Sequence, residues 1–333
     1  MKYIFIIALA FIGFIFSSCF DEDKFDNSKK GNFEALWKIM DEHYCFFNYK
    51  DVDWNEVYVR YSERISENMS NDALFTVLGE MLAELKDGHV NLIASHDVAR
   101  YWKWYENYPY NFDTKIQDNY LGTDYSITGG LKYKMLEDNI GYVYYGSFSS
   151  GIGDGNLSQV FDRLAVCDGL ILDVRNNGGG LLSNSEKLAS YFFNEKTLVA
   201  HILHKTGKGH DDFSKPYEMY IKPAGGLRFQ KKAVVLTNRR CYSAANDFVN
   251  AMRYAPNVVI MGDKTGGGSG LPFSSELPNG WSVRFSASPV LDAEKNQIEF
   301  GIDPDILQDM TDEDMEKGLD SMIERAKEIL KAR

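Results

Sequence analysis

The sequence predicts an α/β fold, a layered core with a mostly parallel sheet, preceded by a helical domain. Three observations predict it. The runs "GLILDV" (169–174), "KAVVLT" (232–237) and "NVVIMGD" (257–263) are short, apolar and rich in β-branched residues, as strands buried on both faces are. The first two runs each lead through a tight loop, "RNNGGG" or "NRRCYS", into a helical segment, which is the rhythm of parallel α/β layers. Residues 32–87 repeat apolar positions at helical spacing instead.

Taken in order, the chain begins with an apolar run from Ile4 to Phe16, shorter than the ~20 residues a bilayer span needs. It fits the apolar region of a secretory signal. "FSSC" follows and resembles the lipobox of bacterial lipoproteins. That resemblance implies a signal peptide over 1–18, lipidation at Cys19 and a membrane-anchored location in the cell envelope. The acids after Cys19 resemble a signal for export to the outer-membrane surface. Residues 19–31 are polar and read as a flexible tether.

The helical domain is expected over 32–100. Asn32 can cap a first helix carrying Phe33, Leu36, Trp37, Met40 and Tyr44 on one stripe. Asp53 starts a second helix. Asn71 starts a third, with Leu74, Leu78, Met81, Leu82 and Leu85 facing in. The core is expected over 101–333. It opens with an aromatic stretch, "YWKWYENYPYNF" (101–112), which reads either as a domain seam or as a substrate groove. Residues 119–148 read as short strands with Gly and Asp-Asn turns. The end, from Thr311, reads as one amphipathic helix with Met315, Leu319, Met322, Ile323, Ala326 and Leu330 facing in. There is no internal repeat.

Composition bounds the function. The 333 residues are 44% hydrophobic, enough for a sizeable core, and the net charge of −12 argues against nucleic acid as a partner. Beyond Cys19 the cysteines are Cys45, Cys167 and Cys241, without metal-site spacing. His201 and His204 sit in "LVAHILHK", whose alternation puts them on opposite faces, against a shared metal. "KTGKGHDDFSK" (205–215) reads as an exposed loop, lacking the strand-loop-helix setting of a phosphate cradle. No cofactor is implied.

Ligands in α/β folds bind at the carboxyl ends of parallel strands. Two loops there carry chemistry. Gly178, Gly179 and Gly180 can turn backbone N–H groups toward one point, as a nest for an anion or oxyanion. Ser243 stands where a strand meets a helix. It reads either as an N-cap or as a nucleophile, with the N–H of Ala244 beside its hydroxyl.

Four motifs stand in order: "LKDGHV" with His89, "LDVRNNGGG" with Asp173, Arg175, Asn177, Gly179 and Gly180, Thr237-x5-Ser243-Ala244, and "IEFGIDPDI" with Glu299. In that order they resemble the S41 peptidases, the C-terminal processing and tricorn-core serine proteases. Residues 33–54 resemble the helical segment that precedes the tricorn-like core. The resemblance implies a ClpP/crotonase-like core and a serine endopeptidase of the cell envelope that acts on polypeptides. Members of one branch pair serine with a lysine, but Gly268 holds that lysine's place here, leaving Lys264 as the nearby alternative. The tricorn-like branch implies Ser243 as nucleophile, His89 as base and Glu299 in support, with Gly178 or Gly179 and Ala244 as oxyanion donors. That branch has a serine before the histidine, where this chain has Gly88. Only about 45 residues separate His89 from the strand-rich core, too few for a PDZ domain. The competing reading is a non-proteolytic protein binding lipid or peptide on the same core. A crotonase-type acyl-CoA enzyme fits an exported chain poorly.

Overall fold

The computed structural model describes residues 25–332. The expectations for the signal peptide, for Cys19 and for the first part of the tether, 19–24, lie outside the described residues. Among the described residues no helix is long and apolar enough to cross a membrane.

The elements run α1 Lys29–His43, α2 Trp54–Ser62, α3 Asn71–Ala83, β1 Asn91–Ile93, β2 Val98–Arg100, α4 Thr114–Leu121, β3 Ser126–Thr128, β4 Leu131–Met135, β5 Ile140–Tyr145 and α5 Asp154–Leu164. They continue with β6 Gly169–Asp173, α6 Leu182–Ala189, β7 Thr197–Ile202, β8 Tyr217–Ile221, β9 Ala233–Thr237, α7 Ala244–Met252 and β10 Val258–Gly262. The chain closes with β11 Gly270–Glu276, β12 Ser282–Asp292, β13 Ile306–Leu307, α8 Asp312–Glu316 and α9 Ser321–Lys331.

One sheet has the order β13-β10-β9-β6-β5-β4-β3. Its β13-to-β5 part is parallel, as the apolar runs predict, and β4 and β3 add antiparallel edges. β6 and β9 are buried at every position. Helices α5, α6 and α7 pack on one face with Phe148, Phe161, Phe192 and Phe248, while α9 closes the other through Met322, Ile323 and Ala326.

A second, antiparallel sheet, β2-β1-β12-β7-β8 with β11 also on β12, is not evident in the sequence. Its longest strand, β12, does two jobs. It pairs β1 at Asn91↔Arg284, and it lends Val283 and Phe285 to the core that α1, α2 and α3 build. Residues 32–100 are therefore helical only as far as Ala83, and their last strands are stitched into the second sheet.

Three local expectations are corrected. The first helix starts at Lys29, because Ser28 caps it by accepting from the Gly31 N–H. Asn32 lies inside its first turn, and its amide donates to the Ser28 carbonyl and to Asn27. Residues 119–121 end a helix, α4, which Asp113 caps. The C-terminal segment is two helices: Gly318 takes a φ of +73°, which breaks the run, and Asp320 caps α9. Leu319 consequently faces out, at 39% exposure.

Candidate active site

Ser243 occupies the N-cap position of α7, yet its hydroxyl makes no capping bond. Its backbone stands at φ +57°, ψ −127°, a region that costs a serine on the order of 1–3 kcal/mol. Loops on both sides hold it there. The Tyr242 N–H donates to the Asn177 carbonyl at 3.1 Å, and the Ser243 N–H donates to the Gly267 carbonyl at 2.8 Å. The released hydroxyl lies 3.0 Å from Nε2 of His89, 154 positions earlier in the chain.

His89 is fixed by its own loop. Its N–H donates to Oδ1 of Asp87 at 2.8 Å, and its ring leans on Tyr242 at 5.0 Å. Burial holds the imidazole well below its ordinary 6.5, at about 4; Asp87 pulls it up, while Arg284 and Lys50 push it down. The ring is thus neutral at pH 7. Its Nδ1 is buried without a hydrogen-bond partner among the described residues.

Behind His89 lies a charge cluster that the motifs do not announce. Asp87 also accepts from the hydroxyls of Tyr44 at 2.9 Å, Ser286 at 3.0 Å and Tyr242 at 3.4 Å. The Lys50 ammonium, 7% exposed, stands 3.7 Å from Asp87 and 3.3 Å from Glu299. Lys50 and the hydrogen bonds hold Asp87 below the usual carboxylate range despite burial. Burial and the nearby Asp87 push Glu299 up. The Lys50 cation thus stands between two buried carboxyl groups that the cluster shifts in opposite directions. Glu299 accepts from the Ser269 N–H at 2.8 Å and from Lys50; it makes no hydrogen bond to His89. Asp87 lies inside the "LKDGHV" motif and was within reach of sequence reasoning, whereas nothing in "FFNYKDVDW" singles out Lys50.

The glycine corner meets the serine directly. A Cβ on Gly179, at φ +95°, would come within 2.8 Å of the Ser243 Cβ and 2.6 Å of the Tyr242 carbonyl oxygen. Only glycine permits that approach. The Gly179 N–H is already spent on Oδ1 of Asn177 at 3.0 Å, which corrects its expected role as an oxyanion donor. The N–H groups of Gly178 and Ala244 have no acceptor among the described residues.

The other motif residues are structural. Arg175 is fully buried and pairs with Asp173 at 2.6 Å and with Asp320 at 2.9 Å, so it cannot meet a substrate terminus. Asn177 clasps the Tyr145 carbonyl at 2.7 Å, and Thr237 donates to the Asp263 carbonyl at 2.8 Å.

Packing also explains Gly88 and Gly268, the two positions where the chain departs from the side chains that the resemblance led one to expect. A Cβ on Gly88 would lie 2.8 Å from Nε1 of Trp104 and 2.9 Å from Oη of Tyr242. A Cβ on Gly268, at φ +78°, would strike the Tyr242 ring at 2.4 Å. Lys264 turns to Asp303, 3.4 Å away. The aromatic stretch 101–112 is part packed and part exposed. Trp104 stacks on Tyr242 at 4.3 Å and Phe112 is buried, while Trp102, Tyr108 and Tyr110 remain exposed.

Among the described residues no group of three or more His, Cys, Asp or Glu is arranged to hold a metal ion. His201 is buried, with Nδ1 at 3.1 Å from the Asp292 carbonyl, and His204 is at the surface beside Ser288. The three described cysteines are free and buried.

A model of peptidase family S41 matches residues 139–308, and a model of the tricorn protease C1 domain matches residues 25–83. The chain belongs to peptidase family S41, a family of serine peptidases. Carboxy-terminal processing protease CtpA of Bacillus subtilis (strain 168) is 26% identical over 182 residues, 54% of this chain and 37% of its own length. The chloroplastic C-terminal processing peptidase of Tetradesmus obliquus is 27% identical over 180 residues, 52% of this chain and 36% of its own. The chain thus spans little more than a third of these curated relatives. A solved protein of Parabacteroides merdae ATCC 43184, provisionally described as a peptidase, is 58% identical with a TM-score of 0.89, covering 92% of this chain and 98% of that one. Mature CPAF shares the fold at a TM-score of 0.68 and 13% identity, covering 91% of this chain and 96% of that one.

Proposed function

We propose that this protein is a serine endopeptidase in which Ser243 is the nucleophile and His89 the general base. The observation that carries the reading is the 3.0 Å approach of His89 Nε2 to a serine hydroxyl held at a strained positive φ and free of any capping bond. A serine spent on a helix cap needs no such backbone.

The chemistry is acyl transfer. Ser243 Oγ attacks a peptide carbonyl carbon while its proton passes to Nε2 of the neutral His89. The carbonyl oxygen gathers negative charge and receives the N–H groups of Gly178 and Ala244, the latter at the positive end of α7. His89 then gives its proton to the leaving amine as the C–N bond breaks. Water, deprotonated by His89, attacks the acyl-serine and frees the enzyme. Asp87 holds the histidine loop through the His89 N–H rather than through the ring. Lys50 supports that loop electrostatically through Asp87, and Glu299 joins the cluster through Lys50. Polypeptides are the substrate class, on the strength of the family. The apolar run before "FSSC" supports export and anchoring through lipidated Cys19.

The test is Ser243→Ala. It should lower cleavage of an unstructured protein by roughly 10⁴-fold or more and abolish labelling by a serine-reactive phosphonate, with circular dichroism unchanged. Full cleavage by the variant would defeat the reading. Lipid binding by a wild-type protein that neither cleaves nor labels would favour the binding-protein alternative.

A further inference from the structure

The second sheet carries a cross-strand row that the acyl-transfer chemistry leaves unused. Arg100 on β2 pairs with Asn91 on β1, Asn91 pairs with Arg284 on β12, and Arg284 pairs with Ser274 on β11. The residues that alternate with this row, Leu92, Ala99, Val283 and Phe285, pack into the core under the N-terminal helices. The row therefore lies on the opposite face. That face meets water: Ile93 and Val98, one row further on, are exposed, as are Arg100 and Ser274.

The row adjoins the candidate catalytic residues. The Asn91 amide donates to the carbonyl of His89 at 2.9 Å and to that of Gly88 at 3.4 Å. Two residues along β12 from Arg284, and so on the same face, Ser286 donates to Asp87 at 3.0 Å. The Arg284 charge is near enough to act on the His89 imidazole. Arg284 is half-buried, yet no ion pair or side-chain hydrogen bond holds its guanidinium among the described residues. Glu276, the acid one row along on the same face, makes no ion pair with it. Arg100 also lacks a carboxylate among the described residues and lies over the Trp102 ring, 4.7 Å from its centre. Two strand spacings separate the two arginines, about 10 Å.

The chain has 48 acidic residues against 36 lysines and arginines, so two arginines on one face without an acid are a departure. A partly desolvated guanidinium with no acceptor is unfavourable. This one also opposes the imidazolium that forms when His89 takes the Ser243 proton. An anion settling on Arg284 offsets both costs, and the planar fork of the guanidinium matches a carboxylate. The molecule that comes to this face beside His89 is the polypeptide substrate.

We propose that Arg284, seconded by Arg100, forms a subsite for a carboxylate of the substrate close to the scissile bond, borne by an Asp or Glu side chain or by the end of the chain. The inference rests on Ser243 being the nucleophile.

The test uses quenched peptides in two sets. In the first, both ends are blocked and Asp, Asn, Glu or Gln stands at one of the three positions on either side of the scissile bond. In the second, the peptide is uncharged and its C-terminus is either free or amidated. In at least one position or set, wild-type kcat/KM should be about tenfold higher for the acid than for its amide. The first set assigns the effect to a side chain and the second to the chain end. Arg284→Gln should bring the ratio close to one, Arg284→Lys should keep part of it, and Arg100→Gln should lower it by a smaller factor. The ratio is read rather than the rate, because loss of the Arg284 charge also acts on His89 and changes the rates for acid and amide alike. Ratios near one in both sets, or a ratio that Arg284→Gln leaves in place, would overturn the proposal. Where the wild type cleaves nothing, calorimetry on Ser243→Ala with each acid and its amide decides. Tighter binding of an acid, lost in the Ser243→Ala, Arg284→Gln double variant, supports the subsite and leaves the nucleophile as the part that fails. Equal binding throughout overturns the subsite.

Discussion

His89 presents Nε2 to Ser243 and keeps Nδ1 without a partner, so burial rather than a bonded carboxylate governs its titration. The imidazole is held at about 4, against 6.5 when unburied. As the proposed base, His89 is competent when neutral. The kcat/KM profile should therefore rise between about pH 3 and 5 and stay level from 6 to 8; an acid limb near 6.5 would contradict this ring environment. The sign for stability follows from the same shift. Between pH 6.5 and 4 the unfolded chain binds the proton more readily, so this contribution is intact above 6.5 and is lost as pH falls toward 4. Gly88 gives a second test at this scale. Gly88→Ser, which restores the serine of the tricorn-like pattern, should lower Tm by several degrees, since its Cβ meets Trp104 and Tyr242 below 3 Å and overpacking costs ~1–3 kcal/mol. An unchanged Tm in a thermal melt would show that the Trp104 stack is loose. The motif makes Gly88 legible as a departure, but the reason for it lies in an aromatic stack that sequence spacing does not encode.

At the scale of elements, the two strand-loop-helix units do different work. The loop after β6 is a brace. Arg175 spans Asp173 at the end of β6 and Asp320 at the start of α9, and so clamps that helix to the sheet. Arg175→Met should cost about 3–5 kcal/mol in denaturant unfolding, because it strands two buried carboxyl groups. A loss under 1 kcal/mol would mean that the acids find other partners. The loop after β9 is the display. Gly179→Ala should impair the enzyme through Ser243, lowering kcat far more than it raises KM, because the added methyl pushes on the Ser243 Cβ and the Tyr242 carbonyl. The helix-forming periodicity and the cap Asp53 are local signals, so α2 can be found from one segment, whereas α4 with its cap Asp113 is hidden among turn-like residues. The second sheet could not be found that way. β1, β7 and β12 are far apart in sequence, and only pairing reveals them as neighbours.

For the whole molecule, the N-terminal helices complete the site. Lys50, just before α2, reaches Asp87 and Glu299, the latter 249 residues on. Lys50→Met should destabilise the protein by about 3–5 kcal/mol by leaving Asp87 buried and unpaired. It should also move the acid limb of the pH profile upward, since the Lys50 charge helps to hold His89 low. A limb that stays in place would show that burial alone sets the base. By itself, the sequence determined the parallel layer and the order of the four motifs, and it offered Ser243 and His89 as candidates, because buried strands, glycine corners and helix starts are written in contiguous residues. Only the tertiary structure decided that Arg175 is a brace, that the Gly179 N–H is spent, that Glu299 answers to Lys50, and that Gly88 and Gly268 make room for Tyr242. Those outcomes depend on which distant atoms meet, and on the desolvation and steric costs of that meeting, which no single segment carries.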